Sequence, residues 1–285
     1  MCQFISCIAC LSSLGELSYY EIRNTRYDIR IMPDKRVHRG PHPDDEKLFA
    51  DDNIGDLRSA LSDFSLLLTK GYAEKSSLKL VGDKFSLTER QRLAIMRSAC
   101  SDQHLSSRKQ REVKIAELAG QQIAIDGYNV LITIEAAISG GVIFKGRDGC
   151  FRDLASIHGT YRKVTETIPA VKLIGNFLKE IGVAKVLWLL DSPVSNSGRL
   201  KTLIGELAQK NVWNFEIRLS LSPDAVLIKG DAIVTSSDSV VLDGCKRWTN
   251  LAAEIITRKI SSATIIDLTL PFLCHSRAGG NPKAC

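Results

Sequence analysis

Three apolar runs in this chain each end in an aspartate: IAID closes at Asp126, VLWLLD at Asp191 and AIVTSSD at Asp238. Each is short enough for a strand and apolar enough to be buried, and segments of helical period lie between them. Leu154, Ile157, Tyr161 and Val164 keep such a spacing. So do Ile174, Phe177, Leu178 and Ile181, with Pro169 in the first turn and Gly182 as the stop. Further helices run through Leu200, Leu203, Ile204 and Leu207, and through Leu251, Ala252, Ile255 and Ile256. GGVIFKGRDG reads as a small hairpin, EIRLSL as a strand or edge strand, and ATIIDL as a last strand with a weaker fourth acid, Asp267. Strands alternating with helices predict a parallel sheet with helices on both faces.

Upstream the texture changes. Leu57, Leu61, Phe64 and Leu68 share a helical face, with Gly71 as the stop. A second helix from about Ala73 carries Leu78 and Val81 and ends at Gly82, and a third begins in SLTERQRLAIMRSAC. There both Ser86 with Glu89 and Thr88 with Gln91 fit a capping box. The turn and basic helix resemble a helix-turn-helix, but a small bundle is the simpler reading. The expected organisation is an extension over 1–31, a helical domain over 32–118, the α/β domain over 119–270, and an unstructured tail over 271–285.

Composition narrows the setting. No apolar run approaches the 18–20 residues needed to span a bilayer, and MCQFISCIACLSSLG lacks the basic start of a signal peptide. A cytoplasmic protein without disulfides is expected, its eight cysteines being scattered and Cys7–Cys10 a lone CxxC. His38, His42, Asp44 and Asp45 sit among prolines and glycine, as a loop rather than a metal cluster. Net charge is +6, and 84–114 holds eight basic residues against three acidic ones, a face that could meet a polyanion.

In an open parallel sheet the strand C-termini line one edge, where sites form. Asp126, Asp191 and Asp238 gathered there would repel one another unless a cation joined them. Oxygen ligands suit Mg²⁺ or Mn²⁺, and such a cluster activates water for in-line displacement at phosphorus. Singly, each acid has a plainer reading: Asp126 as a turn residue beside Gly127, Asp191 in an Asx-turn, Asp238 as an N-cap. Ser195, Asn196 and Ser197 open a helix whose free amides suit a phosphate oxygen, and Arg199 could add a forked contact. Asn129 could orient a ligand or water.

IAIDGYNVL, VLWLLD and DAIVTSSDSVVLD, in that order with helices between, resemble the PIN-like/NYN group of metal-dependent ribonucleases. RVHRGPHPDDEKLF, GYAEKSSLKLVGDKFSLTERQRLAIMRSAC and LLDSPVSNSGRL are similar to an uncharacterised prokaryotic family that pairs a small helical domain with such a C-terminal domain. That second likeness covers about 36–265. The ribonuclease resemblance implies Asp126, Asp191 and Asp238 as catalytic metal ligands and RNA as substrate. Many members carry another acid two residues after the late Asp, where this chain has Val240. Asp224, Asp231, Asp243 and Asp153 are candidates for that missing ligand. The departure keeps open an impaired module that binds RNA or a protein partner, or forms a homodimer. Phosphotransfer through Asp126 would want a second Asp where Tyr128 stands, and no GxGxxG follows a strand.

Overall fold

A computed structural model describes residues 38–155 and 161–269. The expected extension, the tail, Ile157 and Cys2, Cys7, Cys10, Cys274 and Cys285 lie outside the described residues. All described residues belong to one compact unit.

The first part is helical: α1 (Asp45–Leu48), α2 (Asp51–Thr69), α3 (Glu74–Lys84), α4 (Glu89–Ser98) and α5 (Asp102–Arg111). Of the two candidate capping boxes, Thr88 with Gln91 forms, while Ser86 takes a left-handed turn conformation. Helix α3 runs two residues past the expected stop at Gly82, where a Cβ would meet the Arg92 guanidinium at 2.2 Å.

Then follow β1 (Gln122–Asp126), α6 (Gly127–Ile138), β2 (Val142–Lys145), β3 (Phe151–Arg152), α7 (Thr167–Glu180), β4 (Lys185–Asp191) and α8 (Ser197–Asn211). The chain continues through β5 (Phe215–Ser220), α9 (Pro223–Lys229), β6 (Ile233–Thr235), α10 (Ser239–Gly244), α11 (Leu251–Lys259) and β7 (Thr264–Asp267). The main sheet has the order β5-β4-β1-β6 and is parallel throughout. Ala124, Leu189 and Val234 turn one face toward Leu227, Val241 and Leu242 of α9 and α10. Alternation along a strand sends Ile123, Ile125 and Trp188, all fully buried, to the other face. Burial on both faces explains the unbroken apolar runs.

Two expectations change. Strand β7 joins β2 and the expected hairpin strand β3 in a separate sheet, β3-β2-β7. Asp267 therefore leaves the acidic edge, and Lys145 Nζ holds its carboxylate at 2.8 Å. The helix expected through Leu154–Val164 is absent from its described residues. Asp153 accepts the Ala155 N–H at 2.7 Å, a local turn that competes with helix formation, and the buried Tyr161 donates to Glu135. Phe144, Leu154 and Leu268 pack in one cluster with Leu57, Phe64 and Ile95 of the helical part. Among the described residues no helix is long and apolar enough to cross a membrane.

Candidate functional site

Strand β1 runs into α6 without a loop. The sequence suggests that Gly127 is there to bend the chain, but the reason is space: a Cβ on Gly127 would stand 2.5 Å from Leu190 Cδ2 and 2.6 Å from the Leu189 carbonyl. The helix can start against β4 only without a side chain at that position. Asp126, Tyr128 and Asn129 are placed by this contact.

The register pairs Asp126 with Leu189, so Asp191 lies two residues farther along the neighbouring strand. Asp238 follows β6 on the other side of β1. All three acids line one cavity of about 980 Å³. Its opposite wall comes from the helical part, including Phe64, Met96, Arg97, His104 and Arg108. Asp126 is buried, and its carboxylate accepts a hydrogen bond from Ser236 Oγ at 2.7 Å. Burial, with repulsion from Asp224, Asp238 and Asp191, pushes its pKa up to about 7. Asp191 is also raised, by burial and by Asp224, and Asp224 by burial and by Asp238. Asp238 caps α10, its Oδ1 accepting the Val240 and Val241 N–H groups at 2.8 and 3.2 Å. No ion pair engages Asp126, Asp191, Asp224 or Asp238 among the described residues.

A hard cation suits this donor set in chemistry. In spacing the fit is looser: among the described residues no three His, Cys, Asp or Glu side chains are gathered tightly enough to hold a metal ion. Mg²⁺ tolerates such a site, since it keeps several waters and takes one or two carboxylates directly.

The loop that carries Asp238 is held from two sides. Asn129 Oδ1 accepts the Ser237 N–H at 2.7 Å and its hydroxyl at 2.9 Å, so the Asn129 carbonyl is engaged within the protein. Arg152 Nε donates to the Ser237 carbonyl at 2.8 Å. Arg152 also joins Asp148, at 2.6 and 2.8 Å, and Asp148 meets Arg108 of α5 at 2.5 Å. Burial opposes the Asp148 charge, but the two guanidinium groups outweigh it and hold the carboxyl well below the usual range.

The other sequence candidates lie elsewhere. Ser195, Asn196, Ser197 and Arg199 do not line the cavity. Asn196 takes a left-handed conformation and gives its amide to the Tyr161 carbonyl at 2.9 Å instead of capping α8. Ser195 accepts the Tyr161 N–H, Ser197 Oγ approaches the Ser192 carbonyl, and Arg199 donates to Asn196 Oδ1 at 3.2 Å. Among the fourth-acid candidates, Asp224 couples electrostatically to the cluster. Asp153 and Asp243 line the cavity in contact with Arg97 and with Arg108 and His104. Asp231 is exposed and paired with Lys246. In place of the family's second late acid, Val240 is exposed at the cavity wall. Of the eight basic residues in 84–114, seven bond internally: Lys84, Arg90 and Arg92 to acids, Arg97 and Arg111 to carbonyls, Arg108 to two acids and Lys114 to Glu112. Arg90 forks onto the buried Asp45, accounting for one member of the loop cluster. Ser236, Tyr128 and His104 also belong to the site. The only sequence cue was the pair of hydroxyls directly before Asp238.

Residues 115–254 match the family described as a domain of unknown function, DUF5616, and residues 56–111 match a protein of unknown function, DUF434. An uncharacterized protein of Methanocaldococcus jannaschii is 32% identical over 202 residues, which cover 70% of this chain and 96% of that protein. No solved structure matches the chain. Likeness along nearly the whole of the archaeal relative, with both matched segments in order, means that the chain belongs to this family of DUF434- and DUF5616-bearing proteins.

Proposed function

We propose that the protein is a metal-dependent ribonuclease whose site is the C-terminal edge of the β4-β1-β6 strands. The observation that carries this reading is Asp126, buried and pressed by three acidic neighbours with no cationic partner among the described residues. Such a carboxylate is stabilised as an anion by a divalent cation. When bound, that cation would polarise a phosphoryl oxygen and acidify a water. Asp126 and Asp191 would hold it, with Asp238 lining the same cavity. The Ser236 hydroxyl fixes the Asp126 carboxylate, and Asn129 with Arg152 keeps the Asp238 loop in place. RNA as substrate, and the PIN-like character of the domain, rest on the motif resemblance of DGYN and TSSD.

A second reading is favoured by Val240, exposed where a further acid would stand, and by the loose spacing of the carboxylates. In it the domain has lost turnover and binds RNA or a protein partner. Incubating single-stranded RNA with Mn²⁺ or Mg²⁺ separates the two. Metal-dependent cutting by wild type, reduced at least about a hundredfold in Asp126→Asn, is expected for the nuclease. Equal activity in the two proteins, or binding with no cutting in either, would abandon it.

A further inference from the structure

Tyr128 is the second residue of α6 and lines the cavity. Only 6% of the residue is exposed, and its hydroxyl has no hydrogen-bond partner among the described residues. Buried phenol groups almost always have one. None of the other buried, unpartnered side-chain atoms among the described residues belongs to a residue lining this cavity.

The ring is firmly seated. It packs against Tyr161 with centroids 5.3 Å apart. Tyr161 is locked in turn, donating to Glu135 Oε1 at 2.5 Å and bonding Thr167 Oγ1 at 2.9 Å. Hence a fixed donor, unpaired among the described residues, stands beside the acidic edge. A buried donor of this kind is satisfied by an acceptor that arrives with the ligand.

Resting on the nuclease reading above, we propose that Tyr128 is a substrate-contacting residue whose hydroxyl donates to a non-bridging oxygen of the RNA phosphate seated beside Asp191. The carboxylates repel a phosphate. A neutral hydroxyl gives it a direct protein contact without adding a charge that must be balanced when the site is empty. The Arg97 and Arg108 guanidinium groups on the opposite wall cannot substitute readily, because both are engaged with protein oxygens.

Tyr128→Phe deletes only the hydroxyl and leaves the ring on Tyr161. Three readouts compare it with wild type: the thermal midpoint, the anisotropy of a fluorescein-labelled single-stranded oligouridylate in millimolar Mg²⁺, and cleavage with Mn²⁺ or Mg²⁺. The midpoint should hold or rise, since no internal hydrogen bond is lost. RNA affinity, or kcat/KM where cutting occurs, should fall about tenfold or more. Affinity and turnover within twofold of wild type would overturn the assignment. So would a loss that merely tracks a falling midpoint, or a wild type that does not bind the RNA. A wild type that binds without cutting removes the nuclease reading alone, and Tyr128 is then judged on affinity. Cutting that is equal in both proteins removes Tyr128 alone.

Discussion

At the scale of single residues, Asp126 couples ionisation to folding. Its carboxyl is raised to about 7 in the fold against an ordinary value of 3.8. The folded state therefore holds the proton more tightly than the unfolded chain. Its contribution to stability is complete below the ordinary value and is lost as pH rises through about 7. Asp126→Asn keeps an oxygen for Ser236 and removes the charge. It should be more stable than wild type at pH 8, by at most about 4 kcal/mol, with the gap closing toward pH 4. Urea denaturation across that range checks it. Millimolar Mg²⁺ or Mn²⁺ should raise wild-type stability at pH 8 and leave Asp126→Asn unmoved. A flat pH dependence would mean that the carboxylate is better compensated than its neighbours imply. These acids could be read from sequence because strand-end position alone puts them on one edge. The Tyr128 hydroxyl could not, since being unpartnered is a property of everything packed around it.

Secondary-structure elements show the same division. Strands β1, β4 and β6 and their order of appearance follow from apolar runs, whose residues need burial on both faces. Asp224 joins the cluster through α9, a seven-residue helix that begins at Pro223 and has too few turns to show a period. Ser195, Asn196 and Ser197, all good caps by type, mark where α8 begins, yet no side chain caps it. Asn196 has a stronger demand on its amide, from Tyr161. At the other end of α8, Val212 sits at φ 55° and is 84% exposed. A β-branched residue there is strained, and its side chain covers little. Val212→Gly should stabilise the protein by about 1 kcal/mol, offset in part by the greater freedom of glycine in the unfolded chain. A thermal midpoint that falls would show that Val212 packs more closely than its exposure suggests.

Across the whole molecule, helical and α/β parts are joined by apolar contact and by charge. Leu57, Phe64 and Ile95 share a cluster with Phe144, Leu154 and Leu268. Asp148 lies between Arg108 of the helical part and Arg152 of the hairpin, all three nearly inaccessible to solvent. Calorimetry should give a single transition with equal calorimetric and van't Hoff enthalpies. Asp148→Ala leaves two buried cations without their shared anion and should lower that one transition by about 3–5 kcal/mol. Two separated transitions, only one of them shifted, would mean that the parts unfold independently. Sequence periodicity revealed both parts but not this junction. Arg108, Asp148 and Asp243 are far apart in the chain, and nothing local announces that they meet. The basic stretch looked like a polyanion surface for the same reason: its partners are distant acids and carbonyls.

Gly127 bears on how distant relatives should be compared. The site residues of α6 are positioned by a helix start pressed directly against Leu189 and Leu190. A homologous sequence could retain every aspartate and still fail to assemble the edge if a methyl group occupied that contact. Inheritance of the site is thus better judged by the acids together with the one residue among them that has no side chain.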